Sequence, residues 1–238
     1  MNTTKSVISR VLGIWGLKLT RVHRASGTGP YSALFQNRKV TDLDNLVEIA
    51  SPIPGMLTEE AGKYLFTLCY TQQLRGDVVE IGSWQGYSTS FLARAVAESG
   101  NGRMYAIDHF KGNAGKEYFY AVEKSDLSDL QEKFRENMQH LDLAQTVSLL
   151  SMPNQEAAEQ LRREAVQVRF LFIDGDHSRE GVQRDVDLFF PFLTKGSIVV
   201  FDDCSPSAPG VMEVVDRLFH GNGCERVFTF SNTAVVVI

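Results

Sequence analysis

Acidic residues follow the ends of several predicted strands in the central part of the chain. Asp108, Asp174 and the adjacent pair Asp202 and Asp203 each come directly after a short apolar run, and Glu80 lies near the end of another. In an open sheet of parallel strands, ligands bind beyond the carboxyl ends of the strands. Helix capping alone does not explain acids on four strands, so they predict a binding cleft at this edge of the sheet.

The stretch Asp77–Ala97, DVVEIGSWQGYSTSFLARAVA, is predicted to form a strand, a tight turn and a helix. Its two glycines leave room for a ligand, and the turn directs backbone N–H groups and the positive end of the helix toward it. A buried carboxylate before the turn requires a partner. A glycine turn without a ligand is the alternative. The predicted ligand contacts are Glu80, Gly82, Ser83, Gly86 and Ser88.

Three carboxylates are predicted to converge from the fourth and fifth strands. Asp174 follows one strand, and Asp202 and Asp203 follow the other. Like charges in one cleft repel one another, and a hard divalent cation with oxygen ligands relieves that repulsion. The pattern therefore predicts a metal site, with Mg²⁺ favoured and Mn²⁺ as the alternative.

His177 follows Asp174 by three positions. An imidazole titrates near neutral pH and accepts a hydroxyl proton readily, so His177 is the candidate general base. The alternative is that His177 only orients Asp174 or Asp176.

Strands and helices alternate along the chain, which predicts a parallel sheet covered on both faces. Two final strands separated by Ser231–Thr233 predict an antiparallel hairpin. Helices are predicted over residues 42–50, 58–73, with Thr58 as the cap, and 153–163. The strands after residues 78–81 are predicted at Arg103–Ile107, Thr146–Leu150, Val168–Ile173, Ile198–Phe201, Arg226–Phe230 and Ala234–Ile238.

Composition narrows the class of protein. The 238 residues are 43% hydrophobic, enough for one sizeable α/β core. The net charge of −5 argues against nucleic acid as the main partner. Cys69, Cys204 and Cys224 are widely spaced, which favours reduced thiols in a cytoplasmic protein over a disulfide framework.

The N-terminal 50 residues are predicted to form a basic helical extension to a domain over residues 51–238. Residues 1–41 carry a charge of +7 and no acid. Residues 5–24 are predicted to form a helix that either contacts an anionic membrane surface weakly or packs on the domain or a partner subunit, including a second copy of the chain. The loop at residues 110–126, with its aromatic residues, is predicted to be a lid or to anchor a helix to the core.

Two segments resemble a known family. EIGSWQGYS, residues 80–88, resembles the first motif of class I S-adenosylmethionine (SAM) methyltransferases, and its Tyr87-Ser88 is similar to the catechol O-methyltransferase-like branch. Residues 170–203 resemble the bacterial sugar and natural-product O-methyltransferases related to macrocin O-methyltransferase. The resemblance extends over about residues 54–203.

The resemblance implies a Rossmann-like, seven-stranded SAM-methyltransferase sheet with five parallel strands, a C-terminal antiparallel hairpin and helices on both faces. It implies that Asp108 accepts the ribose hydroxyls of SAM and that Gln155, with Asn154, contacts the adenine. The implied ligands of Mg²⁺ match Asp174, Asp202 and Asp203. His177 stands where the catechol-type enzymes have a lysine that acts as general base.

These observations predict a Mg²⁺-dependent SAM O-methyltransferase that acts on a hydroxyl of a small molecule, a sugar or a glycosylated metabolite. His177 or Asp174 would receive the hydroxyl proton. A metal-dependent hydrolase could use the same aspartates, but this alternative assigns no function to the glycine turn. An NAD-dependent oxidoreductase would require G-x-G-x-x-G, which Ser83–Gln85 do not provide. A SAM-binding protein without activity is a further alternative.

Overall fold

A computed structural model describes residues 42–112, 129–221 and 224–238. The strands form one sheet in the order β3-β2-β1-β4-β5-β7-β6. Strands β1 to β5 pair in parallel, and β7 is antiparallel to both of its neighbours. The predicted sheet and hairpin are therefore confirmed. The strands are β1 (Asp77–Ile81), β2 (Met104–Ile107), β3 (Val147–Leu150), β4 (Val168–Ile173), β5 (Leu193–Phe201), β6 (Arg226–Phe230) and β7 (Thr233–Val237).

Helices cover both faces of the sheet, as predicted. On one face, α5 to α7 cover an apolar core to which Val79 and Ile81 of β1 contribute. On the other face, α2 and α3 approach closely, since a Cβ on Gly62 would lie 2.6 Å from the Phe91 ring. The helices are α1 (Leu43–Ala50), α2 (Glu59–Thr71), α3 (Tyr87–Ser99), α4 (Leu130–His140), α5 (Asn154–Arg163), α6 (Arg179–Phe189) and α7 (Pro209–His220).

Local signals set most boundaries of these elements. Thr58 caps α2 as predicted, because its hydroxyl accepts from the Ala61 N–H at 3.2 Å. Strand β5 begins at Leu193, five residues before the predicted start, because Leu193 pairs with Val168 of β4, whereas the next two residues, Thr194 and Lys195, are exposed. Helix α1 buries Leu46, Val47 and Ala50, and it belongs to the compact unit Leu43–Ile238.

Several predictions fall outside the described residues. They concern the basic helix at residues 5–24 and the aromatic residues Tyr118–Tyr120 of the predicted lid.

Cys69, Cys204 and Cys224 are free thiols, as predicted. Across the described ranges, no helix has both the length and the apolar character that spanning a bilayer requires.

Candidate active site

The glycine turn joins β1 to α3 where β1 lies closest to β4. Gly82 has φ +84°, and a Cβ there would lie 2.0 Å from the carbonyl oxygen of Asp174. The Asp174 N–H donates to Ile81 O at 2.9 Å, which holds the two strand ends together. Only glycine combines this backbone conformation with so close an approach.

Asp108, at the end of β2, holds the glycine turn in place through hydrogen bonds. Its Oδ2 accepts from the backbone N–H groups of Ser83 at 3.0 Å and Trp84 at 2.8 Å. Its Oδ1 accepts from the N–H of Phe110 at 2.7 Å. The sequence predicted a contact between Asp108 and the ribose of SAM, but it did not predict these hydrogen bonds to the backbone. Two N–H groups expected to face a ligand directly are bonded to the Asp108 carboxylate instead.

Glu80 is fully buried on the α3 side of the sheet, because alternate residues of a strand point to opposite faces. Its Oε2 accepts from the hydroxyl of Thr89 in α3. Burial raises the pKa of Glu80 to about 7, against weaker interactions with the Ser88 and Ser83 hydroxyls that lower it. Within the described residues, Oε1 of Glu80 has no partner at hydrogen-bond distance.

A cavity of about 590 Å³ opens beyond the carboxyl ends of β1, β2 and β4. It brings together the glycine turn, Asp108 and the segment that follows β4, as the sequence predicted. Its lining includes the predicted residues Gly82, Ser83, Ser88, Asp108, Gln155, Asp174 and His177. The described residues that line it do not include Glu80, Gly86, Asp202 or Asp203.

His177 lies between two of the three predicted metal ligands. Its Nε2 is 3.3 Å from Oδ1 of Asp174, and its Nδ1 is 3.1 Å from Oδ2 of Asp203. A neutral imidazole carries one N–H and donates to only one of these carboxylates. The imidazole of His177 thus lies between Asp174 and Asp203, where the sequence predicted a metal ion.

Asp202 is 8% exposed and completes the acidic cluster. Burial and the neighbouring carboxylates of Asp174 and Asp203 raise the pKa of Asp202 well above that of an ordinary aspartate. Nevertheless, the described part of the chain contains no group of three His, Cys, Asp or Glu side chains arranged to hold a metal ion. The predicted Mg²⁺ ligands do not fit a metal site in this arrangement.

Sequence reasoning missed Asp185, a buried residue of α6 that lines the cavity. Its Oδ1 accepts from the side-chain amide of Asn154 at 2.6 Å. Burial raises the pKa of Asp185 to about 6, although the hydrogen bond from Asn154 lowers it. Its helical position, 11 residues after Asp174, gave no signal beyond an acid on an otherwise amphipathic helix.

Comparisons with known proteins identify the family and the fold of the chain. A family described as "Methyltransferase domain" matches residues 79–204. Among curated proteins, an uncharacterized protein of Acanthamoeba polyphaga mimivirus is 38% identical over 53 residues. That match spans 21% of this chain and 24% of the viral protein, well under two thirds of its length.

Solved structures share the fold at low identity. The O-methyltransferase NovP aligns with a TM-score of 0.63 and 19% identity, over 87% of this chain and 98% of its own. An O-methyltransferase from Bacillus cereus, in complex with S-adenosylhomocysteine (SAH), gives 0.59 and 17% over 87% and 96%. TomG from Streptomyces achromogenes, in complex with SAM, gives 0.56 and 19% over 87% and 93%.

Proposed function

Because the chain belongs to the family of methyltransferase domains, we propose that it is a SAM-dependent O-methyltransferase with a small-molecule acceptor. The observation that carries this proposal is that the glycine turn, Asp108 and His177 line one cavity. A cofactor site and a candidate base thereby open into one space. The sequence resemblance further favours a sugar or a glycosylated metabolite as acceptor.

The volume and the polar lining of the cavity support SAM as its ligand. Small-molecule pockets commonly have volumes of roughly 300 to 1,000 Å³, and this one is within that range. Asp108 offers carboxylate oxygens at the end of β2, and Asn154 and Gln155 lie at the start of α5, beyond the neighbouring strand. We infer that Asp108 faces the ribose and that Gln155 faces the adenine. When bound, SAM would supply a methyl group that passes from its sulfonium sulfur to the acceptor oxygen, with SAH as the leaving group.

His177 is proposed to accept the proton of the acceptor hydroxyl. If Nδ1, which faces Asp203, carries the ring hydrogen, Nε2 keeps its lone pair. Nε2 lies on the side of Asp174, which lines the cavity, whereas Asp203 does not. An acceptor hydroxyl that replaces the longer, 3.3 Å contact would then lie against the base. The chain's remaining contribution is to hold that oxygen in line and to exclude water.

Magnesium stays a prediction from the sequence, and no step of the proposed mechanism depends on it. The mutual repulsion of Asp174, Asp202 and Asp203 supports a cation, but His177 lies between two of them. Turnover that is lost in EDTA and restored by Mg²⁺ would confirm the prediction, and equal turnover in both would contradict it.

Weak membrane contact through residues 5–24, self-association and a cytoplasmic location also stay predictions.

Calorimetric titration with SAM, SAH and NAD(H), each in Mg²⁺ and in EDTA, tests the proposal. We expect SAM and SAH to bind and NAD(H) not to bind. Wild-type protein that binds neither adenosyl ligand would refute the proposal. Mg²⁺ heat that Asp174→Ala abolishes would then favour the hydrolase alternative. SAM binding without methyl transfer to any member of a sugar panel would instead favour a binding protein.

A further inference from the structure

Asn232 lies at the tip of the β6–β7 hairpin, beyond the segment that the methyltransferase family matches. Its side-chain Nδ2 donates a hydrogen bond of 2.8 Å to Oδ1 of Asp203. The other oxygen of that carboxylate, Oδ2, lies 3.1 Å from Nδ1 of His177. One carboxylate therefore connects the hairpin tip to the candidate base.

The backbone of Asp203 restricts where its carboxylate lies. Asp203 has φ +51°, in the left-handed region that residues with a Cβ rarely adopt. This backbone conformation fixes where the side chain begins, but the terminal torsion of an aspartate is broad and roughly two-fold. The amide of Asn232 supplies a contact that restricts this rotation, so that one carboxylate oxygen stays turned toward His177.

The hairpin is held firmly enough for this task. Phe201, two residues before Asp203, pairs with Ala234 of β7. The Thr233 hydroxyl donates to Phe230 O at 2.7 Å, which closes the turn around Asn232. The Phe230 ring stacks on Tyr64 of α2 with centroids 4.4 Å apart. Asn232 and Asp203 are therefore carried by directly paired strands of one sheet.

We propose that Asn232 is a positioning residue of the methyl-transfer site, which orients Asp203 so that Asp203 fixes the ring orientation of His177. This inference rests on the proposed function of His177. It assigns to the C-terminal hairpin a part in the site that the sequence motifs confine to residues 80–203. Asn232 acts through its hydrogen bond to Asp203 and the 3.1 Å contact of Asp203 with His177, and it contacts no substrate in this role.

The test compares Asn232→Leu and Asn232→Ala with Thr233→Val, which removes a hydrogen bond of the same hairpin without touching Asp203. The primary measurement is the ¹⁵N resonances of the His177 ring at one fixed pH, assigned by their loss in His177→Ala. It requires no acceptor. We expect the Asn232 variants to shift both ring resonances and Thr233→Val to leave them in place. Unchanged resonances in the Asn232 variants would overturn the proposal.

Turnover gives a second arm, with an acceptor identified in the sugar panel. We expect Asn232→Leu to lower kcat about tenfold, to leave the Kd for SAH unchanged and to have no further effect in a His177→Ala background. Equal losses of kcat in Asn232→Leu and Thr233→Val would show a structural role only. Failure of the wild type to bind SAH would refute the proposed function, whereas the resonance comparison would still decide whether Asn232 orients His177.

Discussion

Gly82→Ala is the sharpest test of how the β1–α3 turn is built. The new Cβ would lie 2.0 Å from the carbonyl oxygen of Asp174, a backbone atom that moves only if the ends of β1 and β4 separate. Separation breaks the hydrogen bond from Asp174 N to Ile81 O, which is 2.9 Å long. The left-handed conformation adds its own cost for any residue with a Cβ.

These contributions set the expected magnitude. The left-handed backbone costs about 1 to 2 kcal/mol and the lost hydrogen bond about 1 kcal/mol, so we expect Gly82→Ala to lower the free energy of unfolding by about 2 to 3 kcal/mol. For a unit of this size, each kcal/mol lowers Tm by about 2 to 4 °C. The expected fall in Tm is therefore about 4 to 12 °C. SAH affinity should fall as well, because the turn lines the cavity.

Gly100→Ala is the matched control for Gly82→Ala. Gly100 has φ +60°, and a Cβ there meets no atom within 4 Å. Its substitution carries the conformational cost without the collision, so we expect a loss of about 1 kcal/mol and unchanged SAH binding. Thermal unfolding and calorimetry with SAH measure both variants. Equal falls in Tm for the two would refute the argument that β1 and β4 require glycine at position 82.

Three further predictions concern the acids and the base. Asp108→Ala should weaken SAH binding at least about tenfold, as measured by calorimetry. Asp77→Ala, which removes a similar carboxylate-to-backbone bond at the opposite end of β1, should leave SAH binding unchanged. Equal effects of the two substitutions would contradict the assignment of Asp108 to the cofactor site. Because burial raises the pKa of Glu80 to about 7, folded protein holds this proton more tightly than unfolded protein, so the free energy of unfolding should decrease as pH rises from about 4.5 to 7. Glu80→Gln should flatten that slope in urea titrations, and an unchanged slope would show that another group causes it. His177→Ala should retain SAH binding and lower kcat about 100-fold; full activity from pH 6 to 9 would exclude His177 as the base.

The sequence was sufficient to predict the seven strands and their alternation with helices, although α4, α6 and α7 were not located individually. Strand β4 matches its predicted bounds, Val168–Ile173, because a continuous apolar run between polar residues is a local signal. Thr58 caps α2 for an equally local reason. Acids placed directly after strands were predicted to share one edge of the sheet, and the structure brings Asp108 and Asp174 to one cavity.

The sequence did not predict which partner each acid selects. Asp108 bonds the turn, Glu80 turns toward Thr89 on the α3 side, and Asp185 holds Asn154. These pairings depend on strand order and on the packing of α5 against α6. Alternation along β1 could have indicated the face of Glu80, but it could not identify the residue opposite.

What the sequence by itself determined is therefore the set of chemical groups at one edge of a predicted sheet, because periodicity and turn residues act between near neighbours in the chain. Tertiary structure decided how those groups are connected. Asn232 meets Asp203 across 29 positions only because β7 inserts beside β5, and His177 reaches both Asp174 and Asp203 because β4 and β5 end side by side. A hydrogen bond is directional and short, so its partner is fixed only after the strands that carry both groups have paired.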